Sequence, residues 1–232
     1  MLSRTLADKI IAYNKSLHFD GPLPSGVSIM NPFRENEFAL RSSSDFYRKY
    51  YSDNNKRHLI LGINPGRFGA GLTGVPFTDP KRLRSECNID YDGSVTHEPS
   101  SVFVYEMINA YGGPAAFYSR FYIHSVCPLG FTATNKAGKE VNYNYYDSKE
   151  LTTFVYDFIV QHIKKQIKMG IDTDVCFCFG TGSNEKFLRT LNETHHFFEN
   201  IVALEHPRFI MQYKQKRKQE YIDKYLAAFD SI

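Results

Sequence analysis

Gly62-Ile63-Asn64-Pro65-Gly66-Arg67-Phe68-Gly69, running on to Thr73-Gly74-Val75-Pro76-Phe77, comes directly after the apolar run His58-Leu59-Ile60-Leu61. The run reads as a core strand, and the residues beyond it read as a shaped loop carrying one amide side chain. Seven glycines and prolines fall from Gly62 to Pro76, a density that helix and strand interiors do not tolerate. Such a loop at the carboxyl end of a sheet strand is where α/β proteins bind ligands.

Across the rest of the chain, four segments read as core strands: residues 56–62, 120–126, 174–179 and 200–204. Helical patterns cover 2–17, 35–50, 99–111, 148–169 and 212–229, with another starting near Ser183 or Asn184. Strands separated by helices imply parallel crossovers and a layered α/β sandwich. Residues 127–147 read as a loop rich in Asn and Tyr. No linker divides the chain, so one domain is expected over residues 1–232, with a helical part to residue 50 and the sheet and motifs over 56–229. In a parallel sheet, the loops holding Asn64, residues 127–147 and His206 converge on one edge.

The 232 residues are 42% hydrophobic and 23% charged, a globular composition long enough for a sizeable core. No apolar stretch matches a membrane span and no signal peptide is apparent, so a cytoplasmic protein without membrane contact is expected. The formal net charge is only +3, but Arg208, Lys214, Lys216, Arg217 and Lys218 crowd one segment. That cluster suits phosphate contacts, and equally the solvated face of a helix. Cys87, Cys127, Cys176 and Cys178 form no C-x-x-C pair, which fits a reduced compartment and argues against a zinc or iron–sulfur site.

Two glycine patterns suggest nucleotide binding and fail on context. Gly69-Ala70-Gly71-Leu72-Thr73-Gly74 has dinucleotide-fingerprint spacing but starts well past the strand and runs into Val75-Pro76, not a helix. Gly180-Thr181-Gly182-Ser183-Asn184 lies between a strand and a helix, without the full P-loop spacing. Asn64 and His206 are the better pair: an amide that can hold a water, and an imidazole that can donate to a leaving group, both at strand ends. Phe77, in the Pro/Gly-rich loop, can serve as a stacking platform, and Asn142 or Asn144 can read a pyrimidine edge.

These residues resemble a known family. The 62–77 stretch, with thirteen residues from Asn64 to Phe77, is similar to the first motif of the single-strand-selective monofunctional uracil-DNA glycosylases. Ile123-His124-Ser125-Val126-Cys127-Pro128-Leu129 resembles that family's middle strand, and His206-Pro207 its second catalytic motif, so the likeness spans residues 59–213 in order. It implies a three-layer α/β/α sandwich on a short, mainly parallel sheet of about four strands. It also implies removal of uracil or a related base from DNA by a monomer, with no metal or redox cofactor.

By that resemblance Asn64 positions the attacking water and His206 stabilises the leaving base, while Phe77 stacks on it. Ile63, Gly66 and Phe68 line the base pocket, and Asn144, or Asn142 in a shifted alignment, reads the base's Watson–Crick edge. Arg67, Arg208, Phe209 and Lys214 are expected on the DNA. Three departures mark this chain: Arg67 stands where the family has Pro, and Ser125 where it has Asn. His206-Pro207-Arg208-Phe209 also lacks the longer Ser-Pro-Arg-Asn continuation, leaving Arg208 and Phe209 as candidates for the wedge that fills the vacated stack. Competing readings are an inactive nucleic-acid-binding module of the same fold, a mismatch-specific uracil/thymine glycosylase and a small-molecule nucleotide-binding protein.

Overall fold

The computed structural model of the protein describes residues 4–232. In chain order the first elements are α1 (Leu6–Ser16), β1 (Val27–Met30), α2 (Pro32–Glu35), α3 (Glu37–Tyr50) and β2 (His58–Gly62). The loop after β2 carries α4 (Ala70–Thr73) and α5 (Pro80–Ser85), and α6 (Pro99–Ala110) and α7 (Pro114–Arg120) lead to β3 (Phe121–Ser125). A hairpin of β4 (Gly130–Thr134) and β5 (Glu140–Tyr143) precedes α8 (Lys149–Lys168), β6 (Asp172–Phe179), α9 (Ser183–His195) and β7 (Asn200–Leu204). Helix α10 (Pro207–Tyr213), a 3₁₀ turn at Gln215–Arg217 and α11 (Lys218–Asp230) end the chain.

Strands β3-β2-β6-β7 form a fully parallel sheet in that order. All of β3 and the last four residues of β2 are buried, so helices cover both faces. That double burial explains why these strands are continuous apolar runs without alternation. The two cysteines of β6, Cys176 and Cys178, are wholly buried, and all four cysteines are free. Among the described residues, no helix is long and apolar enough to cross a membrane.

The sheet order places the site. From β2 the chain crosses to β3 on one side, whereas β6 and β7 build on the other, so winding reverses between β2 and β6. A crevice opens outside the strand ends at such a point. Asn64 leaves β2 and His206 leaves β7, on either side of β6.

The loop expected over residues 127–147 is instead a hairpin. It pairs with β1 as a second, antiparallel sheet in the order β1-β4-β5. Its strands are four or five residues long and partly exposed, so they lack apolar alternation, and the partner of β4 lies a hundred residues upstream. The turn is built by Asn135, whose Oδ1 accepts from Ala137 N–H and Lys139 N–H (both 3.0 Å).

Three helices differ from expectation in their bounds. The 35–50 helix starts afresh at Asn36, whose side chain accepts from Phe38 N–H (3.0 Å) and caps α3. The terminal helix expected over 212–229 is two helices broken at Lys214, where the backbone leaves the helical region (φ −127°). Of the expected 2–17 helix, 6–16 is observed, and Leu2 lies outside the described residues.

Behind the sheet, His124 on β3 and His162 on α8 are buried (5% and 3% exposed) around Tyr13. Burial pushes their pKa values down to about 4 and about 3, so both rings are neutral in the fold. The unfolded chain takes up their protons first. Their contribution to stability is therefore complete above about pH 6.5 and is lost as pH falls through their folded values. Between pH 6 and 4.5 the pair should lower stability on the order of 2–3 kcal/mol per pH unit. Urea melts across that range should show the slope for His162→Gln smaller by about 1.4 kcal/mol per pH unit.

Candidate active site

The loop leaving β2 is held by its own backbone. Gly71 N–H donates to Gly66 C=O (2.9 Å), and Thr73 Oγ1 donates to Thr78 C=O (2.6 Å). A side chain at Gly71 would stand 2.8 Å from Gly66 O, so the crossing needs glycine. This reshapes the dinucleotide-like glycine run into the four-residue helix α4, too short for an anion site.

Asn64 is clamped between two backbone groups at the end of β5 and just beyond it. Its Oδ1 accepts from Tyr145 N–H (3.1 Å) and its Nδ2 donates to Tyr143 C=O (3.2 Å). These contacts fix the amide's orientation, because a backbone N–H can only donate and a carbonyl only accept.

Asn142 and Asn144 are both brought to the same cavity. Asn142 Oδ1 accepts from Arg67 N–H (3.1 Å), which leaves its NH₂ group as the available part. Asn144 Nδ2 donates to Asp147 Oδ1 (3.2 Å), which leaves its Oδ1 available. Together the pair offers one donor and one acceptor.

His206 is the N-cap of α10, and its Nδ1 accepts from Arg208 N–H (3.1 Å). Burial, reinforced by the Arg208 charge, pushes its pKa down to about 4. The ring is therefore neutral at pH 7, and with Nδ1 accepting, its proton sits on Nε2. A fixed N–H donor results.

Phe77 packs 5.5 Å from the His206 ring and 5.7 Å from Phe179, centroid to centroid. Its φ of 52° is left-handed, a strain of about 1–3 kcal/mol for a non-glycine residue. The ring lies over Gly62, where a Cβ would stand 2.9 Å from it. Gly62 thus makes room for Phe77.

These groups surround a cavity of about 130 Å³, lined also by Ile63, Gly66, Ser125 and Arg208. Phe68 does not line it. Its ring stands half-exposed at the outer lip, with the Arg67 guanidinium 4.8 Å above it, and lines an adjoining groove of about 470 Å³. Arg67 is tied to Glu140 Oε2 (2.8 Å). Phe209 is exposed on α10 and Lys214 lies at the end of that helix, both outside the cavity. Of the basic cluster, Arg217 and Lys218 are paired with Glu220 and Glu106, whereas Arg208, Lys214 and Lys216 have no ion pair among the described residues. No group of three or more His, Cys, Asp or Glu among the described residues is placed to hold a metal ion.

Sequence reasoning passed over Glu98 and Ser100, which also line the cavity. A signal was present at Glu98. It occupies the N-cap of α6, where Ser, Thr, Asp or Asn is favoured, and its side chain makes no capping bond. A residue that breaks a local rule marks a candidate functional position.

Comparison with known proteins bears on the family and the fold. The chain is 30% identical over 131 residues to the single-strand selective monofunctional uracil-DNA glycosylase of Rattus norvegicus. That match covers 48% of this chain and 45% of the rat protein, so the chain spans under half of that relative's length. It superposes on the crystal structure of wild-type Pedobacter heparinus SMUG2 with a TM-score of 0.96 and 62% identity, covering 100% of this chain and 98% of that one. Residues 48–230 match the model of the uracil DNA glycosylase superfamily. From β2 to the end of α11, this chain is a member of the uracil-DNA glycosylase superfamily, hydrolases of the N-glycosyl bond.

Proposed function

We propose that the protein hydrolyses the N-glycosidic bond of uracil, or of a related deaminated or oxidised base, flipped out of DNA into the cavity beside Asn64. The observation that carries this reading is the shared cavity of Asn64 and a neutral His206 whose Nε2–H is a permanent donor. The two groups divide the reaction. Asn64 holds water at the anomeric carbon, and His206 meets the charge that collects on the base.

As the C1′–N bond breaks, its electron pair moves onto the base and positive charge grows on the sugar. Water adds to C1′, and its proton is lost to solvent while the departing base takes one up. Asn64 has no basic lone pair at neutral pH, so stabilisation of the leaving group carries most of the rate. A preorganised donor at such a developing anion is worth about 10²–10³ in rate. Phe77 stacks on the flipped base, and the Asn142 donor and Asn144 acceptor complement the donor–acceptor edge of uracil. Flipping costs roughly a few kcal/mol. Arg208, Lys214 and Lys216 offset it through phosphate contacts, with Arg208 and Phe209 entering the stack. Every group invoked belongs to one chain, so a monomer suffices.

A labelled oligonucleotide carrying one uracil, tested single- and double-stranded and then treated with alkali, checks the reading. Alkali-dependent scission at the uracil position is expected. Binding without scission on uracil, hydroxymethyluracil, xanthine and hypoxanthine would leave a nucleic-acid-binding module in place of an enzyme.

A further inference from the structure

We propose that Glu98 is a further base-recognition residue, whose carboxyl group donates a hydrogen bond to the flipped base; this rests on the cavity being the base pocket. Glu98 lines the cavity with Asn64, Phe77 and His206, and it also lines the outer groove with Phe68 and Met211. It therefore stands in the wall between them.

The main chain around Glu98 is fixed and its carboxyl is not committed. Glu98 N–H donates to Asp79 Oδ2 (2.8 Å), and Asp79 is itself fully buried. The carboxyl lies in a notch made by two glycines. A Cβ at Gly69 would stand 1.9 Å from Oε2, and one at Gly66 would stand 3.4 Å from Oε1. No donor among the described residues reaches either oxygen, and no capping bond to α6 occupies them. The partly buried carboxyl therefore faces the cavity with no protein partner, open to a ligand with a matching edge.

Charge decides the form in which it works. Among the described residues Glu98 is the only acidic side chain lining the cavity, and the base leaves as an anion. An ionised carboxylate would oppose that charge, whereas a carboxylic acid donates to it. Burial, then the Asp79 charge, push the Glu98 pKa up to about 7, with Arg208 opposing them. The surrounding charges are accounted for. Asp79 faces Arg82 (3.2 Å) and His97 (3.8 Å), Arg67 on the groove side is paired with Glu140, and His206 is neutral. The donor is thus present below about pH 7 and is withdrawn above it.

The test uses binding, so that it does not depend on catalysis. The probe is a single-stranded oligonucleotide carrying non-hydrolysable 2′-fluoro-2′-deoxyuridine, with a thymidine strand as reference, titrated by fluorescence anisotropy from pH 6 to 8.5. The wild type is expected to lose about tenfold in uracil preference across that range, the loss of one strong hydrogen bond. Glu98→Gln, always a donor and never charged, should show no such loss. Glu98→Ala should have low preference at every pH, and it serves if the Gln variant fails to fold by circular dichroism. Parallel pH profiles for wild type and Glu98→Gln, or no preference for the uracil strand at pH 6, would overturn the proposal. Excision by the wild type alongside parallel profiles removes the Glu98 role alone. Uracil preference that tracks Glu98 without any excision removes the glycosylase reading alone.

Discussion

Asn64→Ala is expected to slow base excision about 10³-fold under single-turnover conditions, within the range for loss of a group that handles the attacking water. Two losses combine. The water at C1′ loses its ligand, and the clamp from Asn64 to Tyr143 C=O and Tyr145 N–H disappears. The clamp matters because it ties the β2 loop to the segment carrying Asn142 and Asn144. Two partly buried backbone groups left unpaired should also cost about 1–3 kcal/mol of stability. Affinity for the 2′-fluoro strand should fall much less than the rate. Equal losses in affinity and rate would mean that Asn64 only builds the pocket.

His206→Ala is expected to reduce excision about 10²–10³-fold through loss of the donor to the leaving base. His206 also accepts from Arg208 N–H as the cap of α10, so alanine changes stability as well as chemistry. His206→Asn separates the two. Asn is a strong N-cap and can take the bond from Arg208 N–H, but its shorter amide does not reach as Nε2 does. Its melting temperature should stay near that of the wild type while its rate falls with that of the alanine variant. With the His206 pKa near 4, this residue adds no pH dependence between pH 5.5 and 8. A decline toward pH 8 that is absent from Glu98→Gln belongs to Glu98.

How much of the molecule was legible in the sequence depends on the physics of each part. Strands β2 and β3 are buried on both faces and β6 over its second half, so their apolar runs stand out from the chain around them. Asn64, Phe77 and His206 stood out in the sequence because each sits at a strand end or in a loop whose glycines and prolines leave few alternatives. The second sheet could not. Its strands are short, and what pairs β1 with β4 is proximity created by the rest of the fold. The placement of Phe68 at the lip also depends on packing, since nothing in the loop's composition says which side of it faces the cavity. Glu98 needed both views: the unusual cap residue is visible in sequence, but the glycine notch that receives its carboxyl is not.

Everything proposed for this protein depends on the cavity between Asn64 and His206 hydrolysing a base from DNA without further strand chemistry. A single-turnover reaction on a uracil-containing single strand measures this directly, counting free base by mass spectrometry and scission before and after alkali. Free uracil equimolar with alkali-labile sites is expected, with no scission before alkali, and neither product with Asn64→Ala on the same timescale. Scission without alkali, or abasic sites formed at the wild-type rate by Asn64→Ala, would contradict the proposed chemistry.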